Sequence, residues 1–171
     1  SNNLTESDIS VDSPTNNFAT MNPNATGSHT EPDTNTYTLQ EGNLYSKWTG
    51  IASAKSYATI APTDGKWYWE YDVYSIAIDW SASPSKFWFR INGGAWQGGG
   101  NPATGATPTK SYAKTVANAS MMPYHGSGSG SSSNVSEIIF NFGQDSSFAG
   151  NKTAQGNQDG NDIGDFYYTP P

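Results

Sequence analysis

Bulky apolar side chains recur at alternate positions in several short runs, the period-two signature of β-strands. Tyr37–Gln40 and Leu44–Trp48 flank Glu41-Gly42-Asn43, a short Gly-containing connection that predicts a hairpin. Tyr57–Ala61 reads as a strand stopped by the turn cluster Pro62-Thr63-Asp64-Gly65. Lys66–Tyr71 alternates cleanly, with Trp67, Trp69 and Tyr71 on one face and Tyr68 and Glu70 on the other. Three large aromatics on one side predict a central strand with that face to the core. The bulk then moves to even positions at Tyr74, Ile76, Ile78 and Trp80. A period of two cannot slip inside one regular strand, so the chain must bulge or turn near Tyr71–Tyr74.

Phe87–Asn92 is the next strand, with Phe87, Phe89 and Ile91 sharing a face. Asn92-Gly93-Gly94 ends it, and Ala95-Trp96-Gln97 suggests a short return. Residues 98–110 carry no apolar period. Tyr112–Met122 is a weaker strand closed by Pro123, and Gly126–Ser133 is a Gly/Ser tract. Ser136–Phe142 is a strand with Ile138, Phe140 and Phe142 inward. From Gly143 the tail is polar until Phe166-Tyr167-Tyr168. Helical periodicity and internal repeats are not evident. Short strands joined by Gly/Pro turns predict an all-β, antiparallel sandwich or barrel over residues 37–171. Residues 1–36 are almost wholly polar and are interrupted by Pro14, Pro23 and Pro32, so they are expected to form an extended N-terminal arm lying on the domain or on a neighbour, or else a loose terminus.

Composition narrows the function classes. The chain has 171 residues, six Trp, ten Tyr and seven Phe, which argues against global disorder. The net charge is −7, with the cationic residues scattered singly, so nucleic-acid binding is not expected. Membrane insertion is not expected either, because no apolar run approaches the ~20 residues of a spanning helix. No signal-peptide pattern opens the sequence. Cysteine is absent, which removes disulfides, thiolate metal sites and a Cys nucleophile.

Several segments in order resemble a SPRY-like domain of bacteriophage and marine viral proteins. They are Asp12–Pro23, Gly65–Glu70, Lys86–Phe89 leading to Asn92-Gly93, Gly100–Gly105, Phe140–Phe148 and Gly164–Pro171. The resemblance implies a concanavalin-like β-sandwich (a SPRY-type jelly roll). It also implies a binding or scaffold role without cofactor or catalysis, in a virion or tail-associated protein. In that family several strands usually separate the Trp-Tyr-Trp-Glu strand from the one matching Val73–Asp79. Here the two abut, so missing or rearranged strands are expected at that join. The family's proteins also often continue beyond the position of Pro171.

Candidate chemistry is sparse. His29 and His125 sit in polar contexts and read as surface residues. Asp159-Gly160-Asn161-Asp162-Ile163-Gly164-Asp165 has oxygen ligands at close spacing, making Asp159, Asn161 and Asp165 weak cation candidates, but it lacks the EF-hand ligand order. Glu70 and Asp79 invite a glycosidase reading, yet nothing fixes their separation, so solvated strand-face carboxylates are expected. Among the aromatics, Trp48, Trp88, Trp96 and Tyr124 fall near loops or opposite core positions. Packing of Trp88 and Trp96 on a second sheet or under the arm is the expected outcome. An exposed aromatic could instead stack on a sugar or anchor an interface. Trp96, Tyr124, His125 and Asn161 are the candidate ligand-binding residues.

The sequence therefore predicts a non-catalytic phage virion module: a tail or fibre adhesion unit, or a capsid-surface decoration. Its expected partners are other virion proteins or a host-surface glycan, with homo-oligomerisation as part of a larger assembly. A secreted or cell-surface lectin-like glycan binder is the alternative.

Overall fold

The structure, a computed structural model, describes residues 18–28, 36–49, 54–114, 119–126 and 135–171. The described residues form ten strands: β1 (Met21–Ser28), β2 (Thr36–Gln40), β3 (Tyr45–Thr49), β4 (Ala54–Ala58), β5 (Lys66–Tyr71), β6 (Tyr74–Asp79), β7 (Ser85–Ile91), β8 (Lys110–Tyr112), β9 (Tyr124–Gly126) and β10 (Val135–Asn141). All pairings are antiparallel. The strands make two sheets, one of order β1-β4-β9 and one of order β2-β3-β10-β5-β6-β7-β8. The described residues contain no α-helix, and so none long and apolar enough to cross a membrane.

The sheets face each other across an apolar core. Met21 and Ala58 of the small sheet meet Trp69, Ile78, Phe87 and Phe140 of the large one, with Trp80 beside them. Register explains the large sheet's contribution. Trp69 pairs with Ile76 and Ile76 with Phe89, while Ile78 pairs with Phe87, so these side chains share one face. The all-β sandwich follows directly from the alternation in the sequence, and so do the β2–β3 hairpin and the inward set Ile138, Phe140 and Phe142. Phe140 and Phe142 stack with centroids 5.4 Å apart.

The phase slip is a tight turn. Tyr71 pairs with Tyr74, and between them Asp72 takes a φ of 47°, a conformation Asp and Asn tolerate better than most residues. One main-chain N–H of β10 fastens the turn, because Ile139 donates to Asp72 Oδ1 at 3.2 Å. The join therefore holds a continuous, fully paired hairpin where missing or rearranged strands were expected. Two residues suffice to reverse the chain and reset its parity.

Other expectations shift. Residues 21–28, assigned by sequence to the arm, are an edge strand whose register jumps between Met21 and Thr26, where Pro23 falls. An edge with a bulge is where a strand accommodates proline. The remainder of the proposed arm, 1–17 and 29–35, lies outside the described residues, as does His29. Strand β4 ends at Ala58, short of the Ala61 expected from sequence, and Thr59 N–H beyond it still donates to the Thr20 carbonyl at 2.7 Å. Of the strand expected over Tyr112–Met122, only Tyr112 falls in a strand among the described residues, at the end of Lys110–Tyr112. Of the three aromatics aimed at the core from β5, Trp69 is buried and Tyr71 packs at its margin, but Trp67 is 40% exposed. The cause is local. β10 pairs with β5 only at Tyr71 and Glu70 and then leaves, so β5 is flanked at Trp67 by β6 alone.

Residues 143–171 add no strand to the sheets. They cross the outer face of the large sheet as a strap, and that face proves to be a second interior.

Candidate functional site

The outer face carries a cross-strand row of polar residues: Asn141, Glu70, Ser75 and Arg90 are successive register partners. All four are buried. Glu70 sits at the centre. Its Oε1 accepts the Tyr68 hydroxyl at 2.7 Å and the Tyr168 N–H at 2.8 Å. Its Oε2 accepts the Tyr167 N–H at 2.9 Å and the Asn141 amide at 3.2 Å. Burial pushes the Glu70 carboxyl above the usual range, and these four donors act against that rise. Burial, with the Glu70 charge beside it, also raises Tyr68 well above the usual phenol range, so the phenol keeps its proton and can donate it.

Arg90 lies across the same row. Its Nη2 donates to the Tyr68 hydroxyl at 3.0 Å and to the Thr169 carbonyl at 2.6 Å. One hydroxyl thus joins the guanidinium to the carboxylate. Asn141 donates to the Asp165 carbonyl at 2.9 Å, and Phe166 meets the Tyr68 ring edge-on. Buried charges of the sheet hold the main chain of Asp165–Thr169 much as a receptor holds an extended peptide. The expectation that Glu70 is a solvated carboxylate is overturned, because the strap covers it. Asp79 is half-buried. Burial works to raise its pKa, but bonds from Ser81 and Ala82 and the nearby Lys66 leave it below the ordinary carboxylate range.

The four candidate ligand-binding residues do not converge. Trp96 lies flat against Arg90, with the guanidinium 4.5 Å from the ring centroid, which occupies one face of the indole. It belongs to the far side of the large sheet. Tyr124 and His125 are on β9 in the small sheet. Tyr124 is 60% exposed and tilts against Tyr57. His125 is buried where a surface residue was expected. Its Nδ1 bonds Ser46 Oγ at 2.7 Å and its Nε2 bonds Ser136 Oγ at 2.8 Å, tying β9 to β3 and β10 of the opposite sheet. Burial lowers its pKa and keeps the ring neutral. Asn161 lies on an exposed loop.

The weak cation candidates are engaged in shaping that loop. Asp159 Oδ1 accepts the N–H groups of Asn161, Ile163 and Gly164, and Asp165 Oδ2 accepts the Ser146 N–H. Among the described residues no group of three or more His, Cys, Asp or Glu side chains is placed to hold a metal ion. The other aromatics singled out from sequence are interior. Trp48 is buried in β3. Trp88 is fully buried under the 97–107 loop, donating its Nε1–H to the Ala106 carbonyl at 2.9 Å.

Of the concavities among the described residues, two are lined by an exposed aromatic side chain. One is a cleft of about 570 Å³ between the sheets, lined chiefly by apolar side chains such as Trp69, Ile76 and Phe89, with Tyr112, Met122 and Tyr124 on its exposed rim. The other is a groove of about 590 Å³ beside the first half of β5, where Trp67, Lys66, Asp79, Asp159 and Asn161 come together with Tyr68. Sequence reasoning missed this groove because the parity of β5 assigned Trp67 to the core. The departure of β10 at Gly143, whose φ is 112°, is what exposes it. No family model matches the chain, and no curated protein and no solved structure matches it either.

Proposed function

We propose that this chain is a non-catalytic β-sandwich module of a virus particle, acting in tail or fibre adhesion or as a capsid-surface decoration. The observation that carries the non-catalytic reading is the use made of the buried ionisable side chains. Among the described residues these are Glu70, Arg90 and His125. Each joins one part of the chain to another, and both oxygens of Glu70 and both ring nitrogens of His125 already have partners. A catalytic acid or base must instead reach a substrate proton. The viral setting draws support from the SPRY-like resemblance, spread over nearly the whole sequence, together with the sandwich it implies. Partners in this reading are other virion proteins, in a symmetric array, or a glycan of the host surface.

Antibodies raised against the chain and applied to purified particles of the source virus test the proposal by electron microscopy. Gold on the tail supports adhesion, and gold over the capsid supports decoration. Protein confined to the medium, with bare particles, overturns the virion reading. A secreted or surface-attached glycan binder then takes its place, a reading favoured by the exposed indole of Trp67.

A further inference from the structure

The six tryptophans differ sharply in what they touch. Trp48, Trp69, Trp80 and Trp88 are buried, and Trp96 is covered by Arg90. Trp67 alone ranks among the exposed large side chains, and among the described residues no ring or cation stacks on it. It is nonetheless held in place, since its Nε1–H donates to the Asp64 carbonyl at 2.6 Å. An indole fixed by its own N–H and left open on the surface is preorganised for stacking, with little side-chain entropy left to lose on binding.

The polar groups around it suit hydroxyl-rich ligands. The Asn161 side-chain amide makes no hydrogen bond among the described residues, although its main-chain N–H is held by Asp159. It therefore offers both donor and acceptor capacity. Lys66 and Asp79 are cross-strand partners at the groove wall, and Asp159 stands beside Asn161. Two carboxylates against one ammonium, on a chain of net charge −7, disfavour an anionic ligand. The groove's volume falls within the range of small-molecule sites.

We infer that the groove beside β5 binds a neutral oligosaccharide of gluco configuration. The flat face of one pyranose ring lies on Trp67 at the open flank of β5, and hydroxyls of neighbouring rings along the groove bond Asn161, Asp79 and Lys66. Equatorial substitution matters because it leaves both ring faces apolar and flat enough to meet an indole. The inference rests on the binding-module reading and relocates the glycan site from Trp96 and Tyr124 to the groove at the Lys66 end of β5.

Titration of the full chain with cellohexaose and chitohexaose, followed by calorimetry and tryptophan fluorescence, tests this. Saturable binding with a Kd at or below ~1 mM is expected for at least one of them. Trp67→Ala is expected to weaken it at least ~tenfold and Asn161→Ala about three- to tenfold. Tyr124→Ala, on the other sheet, should leave it unchanged. Should Trp67→Ala fail to fold, Asn161→Ala on its exposed loop carries the test alone. Absence of saturable binding by both sugars up to ~10 mM overturns the site, as does binding that survives both groove substitutions in folded protein. Neither result touches the virion reading, which stands or falls on the labelling of particles.

Discussion

Glu70 illustrates how much one side chain can organise. Four donors from three separate parts of the sequence converge on it, two of them main-chain N–H groups of the strap. Glu70→Ala strands all four in a buried site and leaves Arg90 without the carboxylate behind Tyr68. We expect a loss of about 3–5 kcal/mol in chemical denaturation; a loss below ~1 kcal/mol would show that water replaces the carboxylate freely. His125 makes a different prediction. Burial depresses its folded-state pKa, so the unfolded chain binds the proton more readily. Stability from the neutral ring is complete above the unfolded value of ~6.5 and declines as pH falls through the folded value, with a slope of at most about 1.4 kcal/mol per pH unit. Urea melts between pH 7.5 and about 5 should show this decline in the wild type and lack it in His125→Gln. At this scale the sequence was a poor guide. Glu70 and His125 both look solvated because their covers lie far along the chain: Tyr167 is 97 residues from Glu70.

Elements were more legible, for reasons that differ between them. Alternation through Lys66–Tyr71 and Tyr74–Asp79 marked two strands, and the parity slip called for a bulge or turn near Tyr71–Tyr74, where the chain turns at Asp72. Trp67 shows the limit of that logic, since parity assigns a face but not how far the neighbouring strand extends. The strap was illegible for another reason. It makes its contacts largely through main-chain groups, which leave no periodic mark on composition, and the only departure from its polarity is Phe166-Tyr167-Tyr168. Two glycines separate the strap's contribution from backbone strain. Gly42 has a φ of 61° and a Cβ there would meet nothing within 4 Å, whereas at Gly93, φ 64°, it would lie 2.5 Å from Cδ1 of Tyr168. Gly42→Ala is expected to cost about 1–2 kcal/mol from conformation alone. Gly93→Ala should cost about 2–5 kcal/mol, with altered near-ultraviolet circular dichroism as Tyr168 is pushed aside. Equal costs for the two would mean that the strap yields without resistance.

At the scale of the molecule, β10 occupies the decisive place. The large sheet contains two ladders built from neighbours in sequence, β2–β3 and β5–β8, and β10 lies between them, pairing Val135–Ile139 with β3 and Phe140–Asn141 with β5. Each ladder can form early from local contacts, but the sheet stays in two halves until a strand from far downstream closes the gap. Such non-local closure is slow, because the loop entropy must be overcome before the pairing rewards it. Folding should therefore be gated by the arrival of β10. In stopped-flow measurements Ile138→Ala is expected mainly to slow refolding if closure is the barrier. Ile76→Val, within the local β5–β7 ladder, should register on the folding limb less than its stability loss would suggest. If Ile138→Ala instead speeds only unfolding, β10 docks after the barrier. Until it docks, β3 and β5 each present an unpaired flank, the kind of edge that templates association with another chain. The time the protein spends waiting for residues 135–141 is thus also its time of greatest exposure to aggregation.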